Sequence, residues 1–150
     1  LPGSHDLEAF ARADPAKLPS IVDRLRDRAD VVVLDTGSGV SRDVAIPLGV
    51  ADRVVVVPTP VPTAISDTLN TIELVDHVES GLAGVVIARF ANGESDQTVI
   101  DELDAPHLVT VPDIEENPDG ANIAFGELAG ELADTVAPDG GSSNRAAGDD

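Results

Sequence analysis

Cysteine, methionine, tryptophan and tyrosine are all absent from these 150 residues, and phenylalanine occurs only three times. Without cysteine there is no disulfide framework, no thiolate metal site and no cysteine nucleophile. No stretch approaches the run of about 20 apolar residues that a membrane-spanning helix needs. No basic and then apolar leader stands at the start. These absences predict a cytoplasmic protein, and the length suits one domain with a single core.

The missing methionine also bears on the first residue, because the chain opens on Leu1. Either the terminus has been processed or trimmed, or the sequence is a fragment of a longer gene. We expect a fragment, since the motifs described below require sequence upstream of Leu1.

Basic residues are scarce: 28 Asp and Glu stand against 9 Lys and Arg, which gives a formal charge of −19, and Lys17 is the only lysine. Such self-repulsion destabilises a compact state at low ionic strength and is screened by salt. An acidic composition with few lysines and small apolar residues predicts adaptation to high salt; the alternative is an acidic protein of a mesophile. Direct nucleic-acid binding is not expected, because phosphate contacts require clustered basic side chains.

Four apolar runs rich in β-branched residues predict strands, at residues 31–34, 54–57, 84–88 and 108–111. They are nearly continuous rather than alternating, which is typical of parallel strands buried on both faces. Helical patterns lie between them. The sequence therefore predicts an α/β fold, a doubly wound and mostly parallel sheet with helices on both faces.

The helices are predicted from apolar spacing and from capping residues. Leu18, Ile21, Val22 and Leu25 share the face of a helix that follows the cap Asp14 and Pro15 and ends near Arg28, although Pro19 delays its regular part. Ile65, Leu69, Ile72 and Val75 mark a helix capped by Thr63 and stopped at Gly81. Further helices are predicted at residues 41–48, at 97–103 and from about Ile123 to Val136. Residues 1–137 would form the domain, and residues 138–150 would be a disordered acidic tail.

The segment VVVLDTGSGVS, residues 31–41, carries the main chemical signal. An apolar strand that ends in Asp35 places this carboxylate at the carboxyl edge of a parallel sheet, where α/β proteins bind ligands. Gly37 and Gly39 allow the backbone to turn tightly and to approach a phosphate. Four hydrophobic residues and an Asp fit the Walker B pattern, whose carboxylate helps to hold Mg²⁺. Many buried strands also end in Asp at a turn for structural reasons alone.

Four segments together resemble the MinD/ParA family of P-loop ATPases, the SIMIBI-class proteins with a deviant Walker A motif. DTGSG at residues 35–39 is similar to the switch II element, and PTPVPTAISDTLNTIEL at 58–74 to the form TTPEPTSITDAYKTIEL, with Asp67 at the matching Asp. LPGSHDLEAF at 1–10 and VPDIEENP at 111–118 resemble two further family stretches. The resemblance runs in the right order from Leu1 to about Val136. It identifies the chain as the C-terminal portion, without the N-terminal strand and the P-loop, of a protein from a haloarchaeon.

This resemblance implies ATP and Mg²⁺ as cofactors of the intact protein. Asp35 would be catalytic and would reach Mg²⁺ through water, Gly37 and Gly39 would shape switch II, and Pro112 with Asp113 would line the base. Arg89 is a further candidate for cofactor binding. The intact protein would form a homodimer around two ATP molecules, release protein regulators or cargo on hydrolysis, and position division proteins, chromosomes or other cellular structures.

The chain also departs from the family. The phosphate-binding loop KGGxGKT is absent, so this chain alone is predicted not to hydrolyse ATP. Ala88 stands where the family often has an adenine-reading Asn, which leaves the base specificity open, and Val61 replaces a Glu. The membrane-targeting helix of many MinD proteins is also missing. The alternative function is a non-catalytic regulatory or scaffold module that kept the fold and lost the nucleotide; iron–sulfur relatives are excluded because they need cysteine.

Structural explanations apply to several of these residues. Asp67 could lie in the first turn of its helix, where the helix dipole favours an acid. Arg89 could cap a strand end, and Asp113 could belong to a solvated acidic loop with Glu115 and Glu116. Ser38 and Ser41 have no His partner at a recognisable spacing, which argues against hydrolase chemistry. The three histidines are scattered without metal-ligand spacing; they are His5, His77 and His107.

Overall fold

The computed structural model describes residues 14–90 and 96–136. Its centre is a three-stranded parallel sheet in the order β1-β2-β3. The strands are β1 (Arg53–Val56), β2 (Gly81–Phe90) and β3 (His107–Pro112). A 3₁₀ turn (Pro15–Lys17) precedes five helices: α1 (Leu18–Arg26), α2 (Arg42–Val50), α3 (Pro62–His77), α4 (Asp96–Leu103) and α5 (Pro118–Val136). Parallel strands need crossover connections, and α3 and α4 provide them.

Helices cover both faces of the sheet. On one face, alternate residues of β1 and β2 pack against α2, α3 and α4, and these strand residues are Val54, Val56, Val85 and Ile87. On the other face, Val86 of β2 packs with β3 and with Ala121 and Ala124 of α5. Val55 and Leu128 join this second layer at its border. This arrangement confirms the predicted doubly wound α/β fold.

Polar residues define two helix starts. Oδ1 of Asp14 accepts a hydrogen bond from N of Ala16 at 3.1 Å, as its predicted capping role requires. Oδ1 of Asn117 accepts one from N of Gly120 at 2.9 Å, ahead of Pro118 in the first position of α5. This helix therefore begins five residues before the predicted Ile123, because Asn-Pro is a start signal that the apolar spacing does not reveal.

The predicted boundaries of α3 are wrong at both ends. The N-cap is Val61 rather than Thr63, because Pro62 takes the first helical position. The helix ends at His77, and Gly81 is the first residue of β2 rather than a helix stop. No acidic residue lies in the first turn, so the dipole explanation for Asp67 is also wrong.

Gly84 holds β2 close to the loop before β3. Its φ is +152°, and an added Cβ would lie 2.5 Å from the carbonyl oxygen of Pro106. The next residue, Val85, donates from its N–H to the same oxygen at 2.7 Å. The pairing of β1 with β2 shifts register here, so the close approach requires glycine.

Residues 31–34 do not form the predicted strand. Val31 and Val33 are 57% and 86% exposed, and within the described part of the chain residues 31–35 make no backbone–backbone hydrogen bond. A strand exists only beside a partner strand, and this segment faces an open cleft. The predicted acidic tail, residues 138–150, lies outside the described residues, as does the N-terminal segment LPGSHDLEAF.

Candidate functional site

The carboxyl ends of the three strands meet at one edge of the sheet, as they must in a parallel arrangement. The chain leaves β1 toward Pro58, whose carbonyl oxygen accepts a hydrogen bond from N of Ala88 at 3.1 Å. Phe90 of β2 is in register with Pro112 of β3. The loops that follow the strands are therefore adjacent, in the place where α/β folds bind ligands.

Pro112 and Asp113 lie together at the end of β3, and both are half-buried. Oδ1 of Asp113 accepts a hydrogen bond from N of Glu115 at 2.8 Å. Its carbonyl oxygen accepts another from N of Asn117, also at 2.8 Å. Asp113 thus shapes the turn before α5, while Glu115 is exposed. The turn gives the edge a fixed backbone beside the end of β2.

Asp35 is exposed, and its carboxylate makes no hydrogen bond or ion pair to any residue that the structure describes. The hydroxyl of Thr36 donates to the carbonyl oxygen of Gly37 at 3.1 Å. Gly39 has a φ of +90°, a left-handed conformation that favours glycine. The loop leads directly into α2 through Ser41, whose carbonyl oxygen accepts from N of Ala45 at 2.8 Å. An acceptor-only carboxylate therefore stands free beside a loop with a glycine-specific backbone.

A cleft of about 1640 Å³ separates residues 31–38 from β1. Asp35 and Gly37 line one wall, and the whole of β1 lines the other. Helices α1, α2, α3 and α5 also line the cleft, and their residues include Val22, Arg26, Leu48, Thr68, Thr71, Ala129, Leu132 and Ala133. Gly39, Pro112 and Asp113 do not line it. Arg89 lies in β2, and its side chain is outside the described residues.

Two pairs of residues that line the cleft were not predicted from the sequence. Thr68 and Thr71 are buried, and their hydroxyls donate to the carbonyl oxygens of Ala64 and Asp67 at 2.7 and 2.8 Å, so the helix itself satisfies them. The two threonines are three residues apart and share the apolar face of α3, and this spacing is the sequence signal that could have identified them.

The second group is the ion pair of Arg26 with Asp52 at 3.3 Å. The same guanidinium nitrogen of Arg26 donates to the carbonyl oxygen of Val50, also at 3.3 Å. It ties α1 to the turn before β1 beside the cleft. Residues 26 positions apart leave no local pattern that would reveal such a contact.

Among the residues that the structure describes, no group of three His, Asp or Glu side chains is placed to hold a metal ion. Within the same residues, no helix combines the length and the apolar character needed to cross a bilayer. Five carboxylates line the cleft: Asp30, Asp35, Asp52, Glu79 and Asp134. Mg²⁺ often takes only one or two carboxylates and completes its shell with water and phosphate oxygens.

No protein-family model matches the chain. Two curated proteins of Methanocaldococcus jannaschii are similar to it in sequence, and both are described as uncharacterized ATP-binding proteins. MJ0169 is 33% identical over 118 residues, which cover 77% of this chain and 45% of that protein. MJ0547 is 26% identical over 116 residues, which cover 75% of this chain and 44% of that protein. The chain thus spans less than half the length of these relatives.

Three solved structures share the arrangement of strands and helices. The cell division ATPase MinD of Pyrococcus furiosus matches with a TM-score of 0.80 at 25% identity, over 90% of this chain and 65% of that one. The septum site-determining protein MinD of Pyrococcus horikoshii, complexed with Mg-ADP, also matches with a TM-score of 0.80, at 22% identity over 91% and 64%. This chain has the MinD fold. A MinC:MinD complex of Aquifex aeolicus gives a TM-score of 0.70 at 19% identity, over 81% and 60%.

The sequence and structure comparisons agree with each other. The relatives that match in sequence are ATP-binding proteins, and the structures that match in fold are MinD proteins. Together they support the predicted relationship to MinD/ParA-type P-loop ATPases. This chain corresponds to about two thirds of the Pyrococcus MinD chains.

Proposed function

We propose that the chain is the C-terminal part of a MinD-like Mg²⁺-dependent ATPase, which acts as an ATP-driven dimerising switch and positions division proteins, chromosomes or other structures. The MinD fold, with the exposed and unpaired carboxylate of Asp35 in the loop before α2, supports this proposal. The loop from Asp35 through Gly39 enters α2 directly. A conformational change at Asp35 would therefore be transmitted to α2, which packs on the sheet.

Asp35 suits Mg²⁺ in its donor chemistry, because an exposed carboxylate without a protein partner can accept hydrogen bonds from the waters of the ion. Bound Mg²⁺ would neutralise charge on the phosphates. Gly37 and Gly39 would let the backbone of this loop follow the terminal phosphate. The phosphate-binding loop KGGxGKT is absent, and the only lysine, Lys17, lies in the 3₁₀ turn, so the backbone amides and lysine of such a loop must come from elsewhere. We therefore expect no hydrolysis by this chain alone.

Pro112 and Asp113 are proposed to lie along the adenine, since the turn at the end of β3 presents a fixed backbone. Arg89, at the neighbouring end of β2, is proposed to approach the nucleotide from the same edge. A homodimer around two ATP molecules, with protein regulators or cargo as partners, follows from the same proposal.

The second candidate function is a non-catalytic scaffold. Two substitutions favour it: Ala88 offers only a methyl group at the end of β2, and Val61 is an exposed apolar N-cap of α3. Neither side chain can hydrogen-bond a base or a phosphate.

The two functions are separated by ATPase measurements on this chain and on the product of the complete gene, in molar KCl with and without Mg²⁺. The ATPase proposal predicts Mg²⁺-dependent turnover by the complete product and background turnover by this chain. Failure of the complete product to bind or hydrolyse Mg-ATP would favour the scaffold. Turnover by this chain alone would show that its site is assigned wrongly.

A further inference from the structure

Basic side chains are concentrated on one helix of this acidic chain. Residues 17–28 contain four of the nine basic residues and only two acidic ones, so this segment is positively charged within a chain whose formal charge is −19. Three of the four basic residues are separated by seven and then by four positions, and such positions follow one stripe along a helix. They are Lys17, Arg24 and Arg28, and all three are exposed. We call them the basic stripe.

The basic stripe has no partner within the part of the chain that the structure describes. Its ammonium and two guanidinium groups make no ion pair or hydrogen bond there, in contrast to Arg26, which pairs with Asp52. Ile21 lies four residues after Lys17 and three before Arg24, on the same side of α1, and is 38% exposed. An exposed apolar side chain between free charges suits a protein contact, in which the apolar group is buried and the charges select the partner.

A matching set of charges lies on α5. Glu127 and Asp134 are seven residues apart, which is also the separation of the first two members of the basic stripe, and both are exposed. Their carboxylates make no ion pair with any described residue. Seven residues span about 10.5 Å of any α-helix, so two ion pairs can form together in either direction of packing. Gly130 lies between the two acids, and an added Cβ there would meet nothing within 4 Å, which leaves room for an apolar side chain. We call these three residues the acidic stripe.

The two stripes belong to opposite layers of the molecule. Helix α1 packs on α2, which covers one face of the sheet, whereas α5 covers the other face. The basic stripe therefore needs a partner outside its own copy. A broad anionic surface, such as a membrane, would also meet the rest of the chain, where nearly all of the negative charge lies. A single acidic helix avoids most of that repulsion.

We propose that the basic stripe of one copy binds the acidic stripe on α5 of a second copy. Lys17 and Arg24 would pair with Glu127 and Asp134, in the order that the direction of packing sets, and Ile21 would be covered between the two ion pairs. Each copy carries both stripes, so the contact is heterologous and can repeat from one copy to the next. It uses no residue of the proposed nucleotide site and should not require ATP.

The contact should be weak and should depend on salt. Two single helices bury less area than a standard interface, so we expect a Kd on the order of 0.1–1 mM. Salt screens the repulsion between distant charges more than it screens charges in contact, and the Debye length falls from about 10 Å at 0.1 M to about 3 Å at 1 M. Association should therefore be measurable at about 0.3 M KCl and should weaken toward 1 M.

Nuclear magnetic resonance tests the proposal on this chain without nucleotide. Amide chemical shifts and rotational diffusion are followed at about 0.3 M KCl while the protein concentration rises from about 20 µM to about 1 mM, a range that spans the expected Kd. We expect shifts at residues 17–28 and 127–134 together with slower rotation. The amides of β1 should change little.

Charge reversal shows whether the two stripes face each other. Arg24→Glu and Glu127→Arg should each raise the Kd at least about tenfold, because like charges then meet. The double variant should return to within about threefold of the original Kd, as should an equal mixture of the two single variants, since opposite charges meet again. Arg42→Glu and Glu73→Arg make the same changes of charge at exposed positions of α2 and α3 and should leave the Kd within about twofold. If a variant loses its helical circular dichroism, Lys17→Glu with Asp134→Lys repeats the test.

Several outcomes would contradict the proposal. They are the absence of shifts up to about 1 mM, a loss of association with only one of the two reversals, and losses with both that the double variant does not recover. Association that rises with salt and shifts the amides of β1 would assign the contact to the sheet edge. Shifts at residues 17–28 that require added vesicles of anionic phospholipid would assign the basic stripe to a membrane surface.

Discussion

At the scale of single residues, the loop between Asp35 and α2 contains two glycines in different conformations. Gly39 has a φ of +90°, whereas Gly37 does not have a left-handed φ, and an added Cβ would meet nothing within 4 Å at either position. Any cost of an alanine at these positions therefore reflects backbone conformation rather than steric contact.

We expect Gly39→Ala to lower the free energy of unfolding by about 1–2 kcal/mol, since a Cβ opposes the left-handed conformation. Gly37→Ala is the matched control and should leave stability unchanged or raise it by about 0.4–1 kcal/mol through the unfolded chain. Urea unfolding of both variants of this chain provides the comparison. Equal losses at both positions would contradict a conformational role that is particular to Gly39.

Asp35 is the residue on which the catalytic proposal depends. In the complete gene product, Asp35→Ala should lower turnover at least about tenfold, or roughly 1.4 kcal/mol of barrier, because Mg²⁺ placement weakens. Asp30→Ala removes the same charge five residues earlier and should leave turnover nearly unchanged. Measured together, kcat and the melting temperature separate the roles: a variant that melts lower but turns over normally would make Asp35 structural.

At the scale of secondary-structure elements, β2 is the centre of the molecule, because its alternate side chains reach both helical layers. Ile87 is 0% exposed and packs among α3 and α4. Ile87→Ala should lower the free energy of unfolding by about 2–5 kcal/mol. Ile114→Ala, at a position that is 58% exposed, should stay within about 0.5 kcal/mol. A small loss at Ile87 in denaturant unfolding would mean that this core is loosely packed.

The sequence predicted elements well where a local signal and a tertiary partner coincide. The apolar runs that became β1, β2 and β3 are examples, as is the cap at Asp14. The predicted ends of helices were wrong where a proline starts a helix ahead of the apolar pattern, as at Pro62 and Pro118. They were also wrong where a glycine begins a strand rather than ending a helix, as at Gly81. Residues 31–34 have the composition of a strand, but pairing depends on a neighbour that the described residues do not supply.

The candidate site was predictable only in part, for a related reason. Pro112 lies at the carboxyl end of β3, as the apolar run before it predicts. The placement of Asp35 at the same edge stays a prediction, because residues 31–34 do not form a strand. The cleft itself and the contact of Arg26 with Asp52 depend on how α1 and α5 pack. Apolar periodicity describes one element at a time and does not contain that information.

At the scale of the whole molecule, net charge opposes compactness. The formal charge is −19, since 28 Asp and Glu stand against 9 Lys and Arg. Even if every basic side chain were paired, most of the acidic side chains would have no opposite charge. Raising KCl from 0.1 M to 1 M shortens the Debye length from about 10 Å to about 3 Å. The melting temperature, followed by circular dichroism, should rise over this range. A flat or falling melting temperature would contradict the role of charge repulsion and the prediction of adaptation to salt.

Within the described sheet β1 is an edge strand that pairs only with β2, and this edge also affects how separate molecules of the chain associate in solution. An unpaired edge bordered by exposed valines is a template for association between chains, and a large charge of one sign keeps molecules apart. Salt that favours the folded chain by screening removes this barrier as well. The dilute isolated chain should therefore be both folded and monomeric only at intermediate ionic strength. Below that range charge repulsion should unfold it, and above that range it should associate through β1.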